Sequence, residues 1–64
     1  MTQKELLYVE DAIGHEKNII SICENMLENL DDESLVSFIE DQIDSHTSIK
    51  DKLMNLLEEK VNEW

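Results

Sequence analysis

The chain contains no proline, no arginine and a single glycine, and these absences limit both its structure and its partners. Without proline, and with glycine only at position 14, almost nothing interrupts a helix outside a short turn-forming segment at residues 29–34. Five lysines stand against 16 acidic residues, so the net charge is −11. Such a surface lacks the basic clusters that bind nucleic acid or anionic membranes. We therefore predict a helical protein with neither of these partners.

Other features are scarce as well. The single cysteine, Cys23, has no internal disulfide partner and lies among apolar residues, which predicts a reduced, buried thiol. No apolar run approaches the ~20 residues of a transmembrane helix, and the polar start is unlike a signal peptide. Glycine-rich phosphate loops and nucleophile elbows are absent from the sequence. We expect a soluble cytoplasmic protein that is not an enzyme and needs no cofactor.

Two capping signals predict where the helices begin. Thr2 followed by Glu5 has the spacing of a capping box, and Asp32 is a suitable N-cap for a second helix. We predict helix 1 over residues 3–29, a turn at 30–32 and helix 2 over 33–63. A link this short makes the two helices antiparallel neighbours, so the fold class is all-α and the single domain is a helical hairpin.

Each helix carries an apolar stripe that is broken by one charged or titratable residue. The exceptions are Glu16 in helix 1 and His46 in helix 2. In an antiparallel hairpin that turns near residue 31, residues whose numbers sum to about 62 lie opposite each other, which places Glu16 against His46. The stripe of helix 1 is Leu6, Val9, Ile13, Glu16, Ile20, Cys23, Leu27 and Leu30. The stripe of helix 2 is Leu35, Ile39, Gln42 or Ile43, His46, Ile49, Leu53, Leu56 or Leu57, Val61 and Trp64.

The Glu16–His46 layer has two interpretations. The first is a buried polar pair that fixes the register of the hairpin, as single polar residues do in coiled coils. The alternative is a metal site in which Glu16 and His46 are ligands. A di-iron centre is not expected, because bundles of that kind use Glu-x-x-His and the residue three positions before His46 is Ile43.

Further apolar residues flank the predicted seam between the two helices. A two-helix layer cannot cover them, so we predict a homodimer that buries them in an antiparallel four-helix bundle. The predicted oligomer interface consists of Ala12, Ile19, Met26, Val36, Phe38 and Met54. The alternative is a small acidic regulator that uses this flank to bind a helix or a basic partner.

Three segments carry a resemblance to a known family. They are Leu-Tyr-Val-Glu-Asp-Ala-Ile-Gly-His-Glu-Lys at 7–17, the Asp-led turn at 30–35 and the histidine-bearing segment at 41–46. Over about residues 3–57 the chain resembles small ferritin-like spore coat proteins related to the coat F family of endospore-forming bacteria. The resemblance implies a ferritin-like helical arrangement, a place in the spore coat beside other coat proteins, and no known catalytic activity.

Overall fold

A computed structural model describes residues 1–62 as two α-helices, α1 (Gln3–Leu27) and α2 (Glu33–Val61), joined by residues 28–32. The helices lie side by side in a particle whose Cα extents are 48 × 14 × 11 Å. The described residues form no β-strand. The prediction of an all-helical hairpin is therefore confirmed.

Side-chain caps begin both helices at the predicted residues. At α1 the Glu5 backbone N–H donates to Thr2 Oγ1 at 3.1 Å, and the Thr2 backbone N–H donates to Glu5 Oε1 at 2.7 Å. At α2 the Leu35 backbone N–H donates to Asp32 Oδ1 at 3.0 Å. These bonds satisfy backbone donors that have no partner within the first turn of a helix.

The end of α1 differs from the prediction. The helix ends at Leu27, two residues before the predicted end, and the connection covers 28–32 where 30–32 was expected. The Asn29 backbone N–H bonds to the Met26 carbonyl at 2.9 Å, and its side-chain amide donates to the Asn25 carbonyl at 3.1 Å. This tight turn closes the helix early. The predicted end of helix 2 at residue 63, and the place of Trp64 on the stripe, lie outside the described residues.

The seam between the helices is narrow. Leu35, Ile49 and Val61 were predicted to lie in the seam, but all three are exposed. Of the alternatives Leu56 and Leu57, Leu56 is exposed and Leu57 is half-buried. The exposed positions lie at both edges of a stripe too wide for one neighbouring helix to cover. Ile39 is the best-buried residue of α2, with 5% of its surface exposed.

The core of a single chain is correspondingly small. Its buried apolar residues, among those described, are Ile13, Cys23 and Ile39, and no large side chain is fully enclosed. Cys23 is a buried free thiol, as predicted. The accessible surface is 4870 Å², whereas a compact protein of 7.5 kDa is expected to expose about 4,200 Å². The isolated hairpin thus leaves an unusually large surface uncovered. Neither helix has, within residues 1–62, the length and apolarity needed to cross a membrane.

Candidate functional site

Glu16 and His46 meet near the middle of the hairpin. Nδ1 of His46 lies 2.5 Å from Oε2 of Glu16, so the predicted contact is present. The side chains are 16% exposed for Glu16 and 24% exposed for His46. In a single chain the pair is half-buried, and its predicted burial in a two-chain bundle stays a prediction. The two helices of a single chain do not cover these side chains completely.

The contact determines which atoms remain available for chemistry. A carboxylate that bonds one ring nitrogen fixes the orientation of the imidazole, and this is how proteins commonly hold a metal-binding histidine. Here Glu16 occupies Nδ1 and leaves Nε2 of His46 facing away from it. Within residues 1–62, no three His, Cys, Asp or Glu side chains are grouped as metal ligands.

Two neighbouring residues do not extend this site. His15 Nε2 lies 3.4 Å from Asp11 Oδ2 one turn away, and both side chains are more than 70% exposed. Such a surface pair contributes little to stability. Gly14 lies inside the continuous helix α1, and a methyl group added at its Cα would meet no atom within 4 Å. The hairpin itself therefore gives no steric reason for a glycine at this position.

Two shallow grooves follow the hairpin on opposite sides. Tyr8 and Leu56 line the first, together with Met1, Glu5, Val9 and Lys60. Glu10 and Met54 line the second, together with Ile13, Gly14, Lys17 and Leu57. Tyr8 and Glu10 are two positions apart, as are Met54 and Leu56, which is about 200° around a helix. The grooves therefore belong to the two opposite faces of the hairpin.

The face that contains the first groove is apolar along most of its length. Eighteen residues make about five full turns of a helix, so Met26 is aligned with Tyr8, and Phe38 with Leu56. We call this surface the apolar face. It consists of Tyr8, Ala12, Ile19, Ile22 and Met26 of α1 and Leu35, Phe38, Ile49 and Leu56 of α2. The rows that these residues define, with a spacing of three and four, contain no acidic residue. Their polar members are His15 in α1 and Gln42, Ser45 and Lys52 in α2.

The opposite surface has a different composition. We call it the mixed face, and it is defined by Glu10, Gly14 and Lys17 of α1 and by Val36 and Met54 of α2. Val36 precedes Met54 by 18 residues and is aligned with it along α2. Met54 is 43% exposed on this face, beside the acidic and basic side chains of α1.

The structure divides the predicted oligomer interface between these two faces. Ala12, Ile19, Met26 and Phe38 lie on the apolar face. Val36 and Met54 lie on the mixed face, so the predicted interface, which stays a prediction, is spread over two faces of the hairpin. The predicted interface did not include Tyr8 and Ile22, and the predicted stripe contained Leu35, Ile49 and either Leu56 or Leu57. The five-turn spacing of Phe38 and Leu56, in rows without acidic residues, is the sequence signal that would have found this face.

The Glu16–His46 pair lies on the same side of the seam as the apolar face. Val9 lines the groove of the apolar face, and Glu16 follows Val9 by one heptad. Ile13 lies on the opposite side of the seam from Val9 and lines the groove of the mixed face. The surface that Glu16 and His46 still expose therefore opens toward the apolar face.

No protein-family model matches this chain, and no significant similarity to a curated protein or to a solved structure was found. The resemblance of residues 7–17 to spore coat proteins of the coat F family therefore stays a prediction.

Proposed function

We propose that this chain is a non-enzymatic structural protein that associates with itself as a homodimer and forms an acidic four-helix bundle. The observation that carries the proposal is a contrast between two sets of residues. Among the described residues, three apolar side chains form the buried core, whereas the apolar face has nine apolar or aromatic residues, of which seven are exposed in a single chain. A contiguous apolar surface of this kind marks an interaction site. In a bundle, the same residues would form a core shared by two chains.

The Glu16–His46 pair suits a structural role in such a bundle. A polar pair in an otherwise apolar layer favours the register that keeps both partners together, because any other register leaves them unpaired. The short contact between His46 Nδ1 and Glu16 Oε2 supports this role. The pair would thus contribute to the uniqueness of the assembly more than to its stability.

The cellular setting that we propose is the spore coat, with the cytoplasm as the site of synthesis. This part of the proposal is supported by the resemblance of residues 7–17, 30–35 and 41–46. The net charge of −11 would favour contacts with basic proteins of the spore coat.

Sedimentation equilibrium tests the self-association. We expect the untagged chain, at micromolar concentration and 0.15 M salt, to have twice the mass of the 7.5 kDa monomer. Circular dichroism on the same sample should show a helical protein. A helical monomer under these conditions would contradict the proposal and would favour the acidic regulator that binds another protein through the apolar face.

Metal binding is a second candidate, favoured by the orientation of His46. Because Glu16 bonds Nδ1, two chains that meet near this layer could each offer Nε2 to one zinc ion. A metal bound only by the folded dimer would raise its melting temperature. The measurement compares melts with zinc and with chelator for the parent and for His46→Gln. Equal melting temperatures of the parent in both conditions would exclude this candidate.

A further inference from the structure

We infer that the apolar face is the surface on which a second copy of this chain docks, and that the two copies are antiparallel, with the open end of one over the turn of the other. The open end is where the chain begins and where α2 ends. This inference rests on the proposed self-association and specifies its surface and its orientation, neither of which follows from self-association alone.

The size of the face suits a second copy. The hairpin is 48 Å long, and two adjacent helices of about 10 Å diameter each give a footprint of roughly 900 Å². Stable protein interfaces bury about 800 Å² on each partner. A second hairpin has the same length and width, so it would cover the face from end to end, whereas a single helix would cover about half of it.

The distribution of charge also favours a second copy over a basic partner. The rows from Tyr8 to Met26 and from Leu35 to Leu56 contain no acidic residue, although the chain carries 16 of them. A basic partner would be attracted to surfaces that carry the carboxylates. Two copies with a net charge of −11 each can approach most closely where the carboxylates are missing.

The two halves of the hairpin differ strongly in charge, and this difference determines the orientation. The half near the turn, residues 18–49, contains eight acidic residues and no lysine, a net charge of −8. The remaining residues contain eight acidic residues and all five lysines, a net charge of −3. A parallel dimer would place the two most acidic halves together. An antiparallel dimer places each acidic half against the half with the lysines, which lowers the repulsion.

The apolar rows of both helices fit one two-fold axis. In an antiparallel dimer, the two-fold axis can lie in the plane of the interface and perpendicular to the helices. Each helix then faces the same helix of the second copy. Phe38 then lies over Leu56 of the second copy if the axis crosses α2 at residue 47. Tyr8 lies over Ile22 of the second copy if the axis crosses α1 at residue 15. Residues 15 and 47 sum to 62, like Glu16 and His46, so one two-fold axis is compatible with both pairs.

One pair of substitutions tests the choice of face. Leu56→Gln and Met54→Gln change neighbouring positions of α2 whose exposures are 42% and 43%, one on the apolar face and one on the mixed face. We expect Leu56→Gln to raise the dimer dissociation constant by about a hundredfold, because each dimer contains it twice and each buried leucine contributes about tenfold or more. Met54→Gln should leave the dissociation constant within about twofold. Circular dichroism shows whether each variant is folded.

Disulfide trapping tests the orientation. In a Cys23→Ala background, chains with Phe38→Cys are mixed with chains carrying Leu56→Cys and oxidised. We expect a mixed disulfide dimer, whereas Phe38→Cys alone should give none, because its two copies lie ~27 Å apart along the helices. Phe38→Cys mixed with Ile22→Cys is the control for a parallel dimer, in which those positions would meet. If Cys23→Ala does not fold, Cys23 is retained and the linked peptides are identified by mass spectrometry.

Each result has a separate consequence. A monomeric parent would overturn both the proposed function and this inference. A dimeric parent that Met54→Gln dissociates and Leu56→Gln does not would leave the proposed function standing and overturn the choice of face. A disulfide between positions 38 and 22, in place of 38 and 56, would overturn the antiparallel orientation alone.

Discussion

The two faces of the hairpin expose similar apolar side chains but place them in different surroundings. Leu56 on the apolar face and Met54 on the mixed face are almost equally exposed. Each groove contains one glutamate and one lysine, Glu5 and Lys60 in the first and Glu10 and Lys17 in the second. The first groove differs in containing the aromatic ring of Tyr8. Exposure alone would therefore not separate a contact surface from an ordinary protein surface. The faces differ in the rows that continue beyond the grooves, because the rows of the apolar face contain no acidic residue.

The faces also differ in what lies beneath them. The half-buried Glu16–His46 pair opens toward the apolar face, so a partner that covers this face also covers the pair. Beneath the mixed face lies Ile13, one of the buried residues of the core. The apolar face thus has both the larger uncovered apolar area and the polar layer that could orient a partner.

Replacing the polar pair should change the free energy of unfolding more than substitutions at Gly14 or Glu5 do. His46→Leu leaves the Glu16 carboxylate without its partner, and we expect a loss of about 1–3 kcal/mol in the free energy of unfolding. The double variant Glu16→Leu, His46→Leu should recover most of this loss, because it removes both polar groups together. Urea unfolding of the parent, the two single variants and the double variant measures the coupling between the side chains.

The exposed pair of Asp11 and His15 provides the control. Asp11→Asn also removes the charge from a carboxylate that contacts a histidine, but both side chains are solvent-exposed. We expect its effect on the free energy of unfolding to stay within about 0.5 kcal/mol. A double variant no more stable than the worse of its two single variants would show that the Glu16–His46 layer is not a coupled pair.

A smaller change, of opposite sign, is expected on the mixed face. Gly14→Ala should increase the free energy of unfolding by up to about 1 kcal/mol, because alanine is favoured over glycine in a helix interior and the added methyl group meets no atom of the hairpin. The dimer dissociation constant should not change, since Gly14 lies away from the apolar face. Chemical denaturation and sedimentation are measured on the same preparation. A weaker Gly14→Ala dimer would show that two chains meet at the mixed face.

The hairpin and the meeting of its two polar residues were predictable because both depend on local signals. The caps at Thr2 and Asp32 fixed where the helices begin, and the shortness of the link made the helices antiparallel. Once the turn was located, the contact between Glu16 and His46 followed from counting residues. The early end of α1 was missed because it depends on the Asn29 side chain, whose hydrogen bond competes with continuation of the helix.

The division of the apolar residues into two faces was not predictable from the stripe alone. Leu56 and Leu57 are adjacent in sequence, and spacing alone does not determine which of them faces the partner helix. In the structure Leu57 is half-buried and Leu56 is exposed, which depends on the rotation of α2 about its own axis. That rotation results from packing along the whole seam, including Ile39 and His46. No short segment of the sequence determines it.

The last and smallest expected effect concerns the open end of the apolar face, where Glu5 lines the groove beside Tyr8. The hydrogen bond from the Thr2 backbone N–H holds the pKa of the Glu5 carboxylate below the ordinary value for glutamate. A hydrogen bond with the Thr2 side chain lowers this pKa further. Because the folded pKa is lowered, this contribution to stability is fully present above the pKa of the unfolded chain. It is lost as the pH falls through the pKa of the folded chain.

Glu5→Gln keeps an acceptor for the capping box but cannot carry the charge, so it is the matched variant for this carboxylate. We expect the parent to melt slightly above Glu5→Gln at pH 7, and the difference to disappear as the pH falls below the range in which Glu5 titrates. Thermal melts of both chains across this range measure the difference. A second pair of proteins, Thr2→Ala with and without Glu5→Gln, should show a smaller pH-dependent difference, because Thr2→Ala removes the hydroxyl group but keeps the backbone N–H that bonds the Glu5 carboxylate. An undiminished difference in that pair would mean that the Thr2 side chain contributes nothing to the effect of the Glu5 charge.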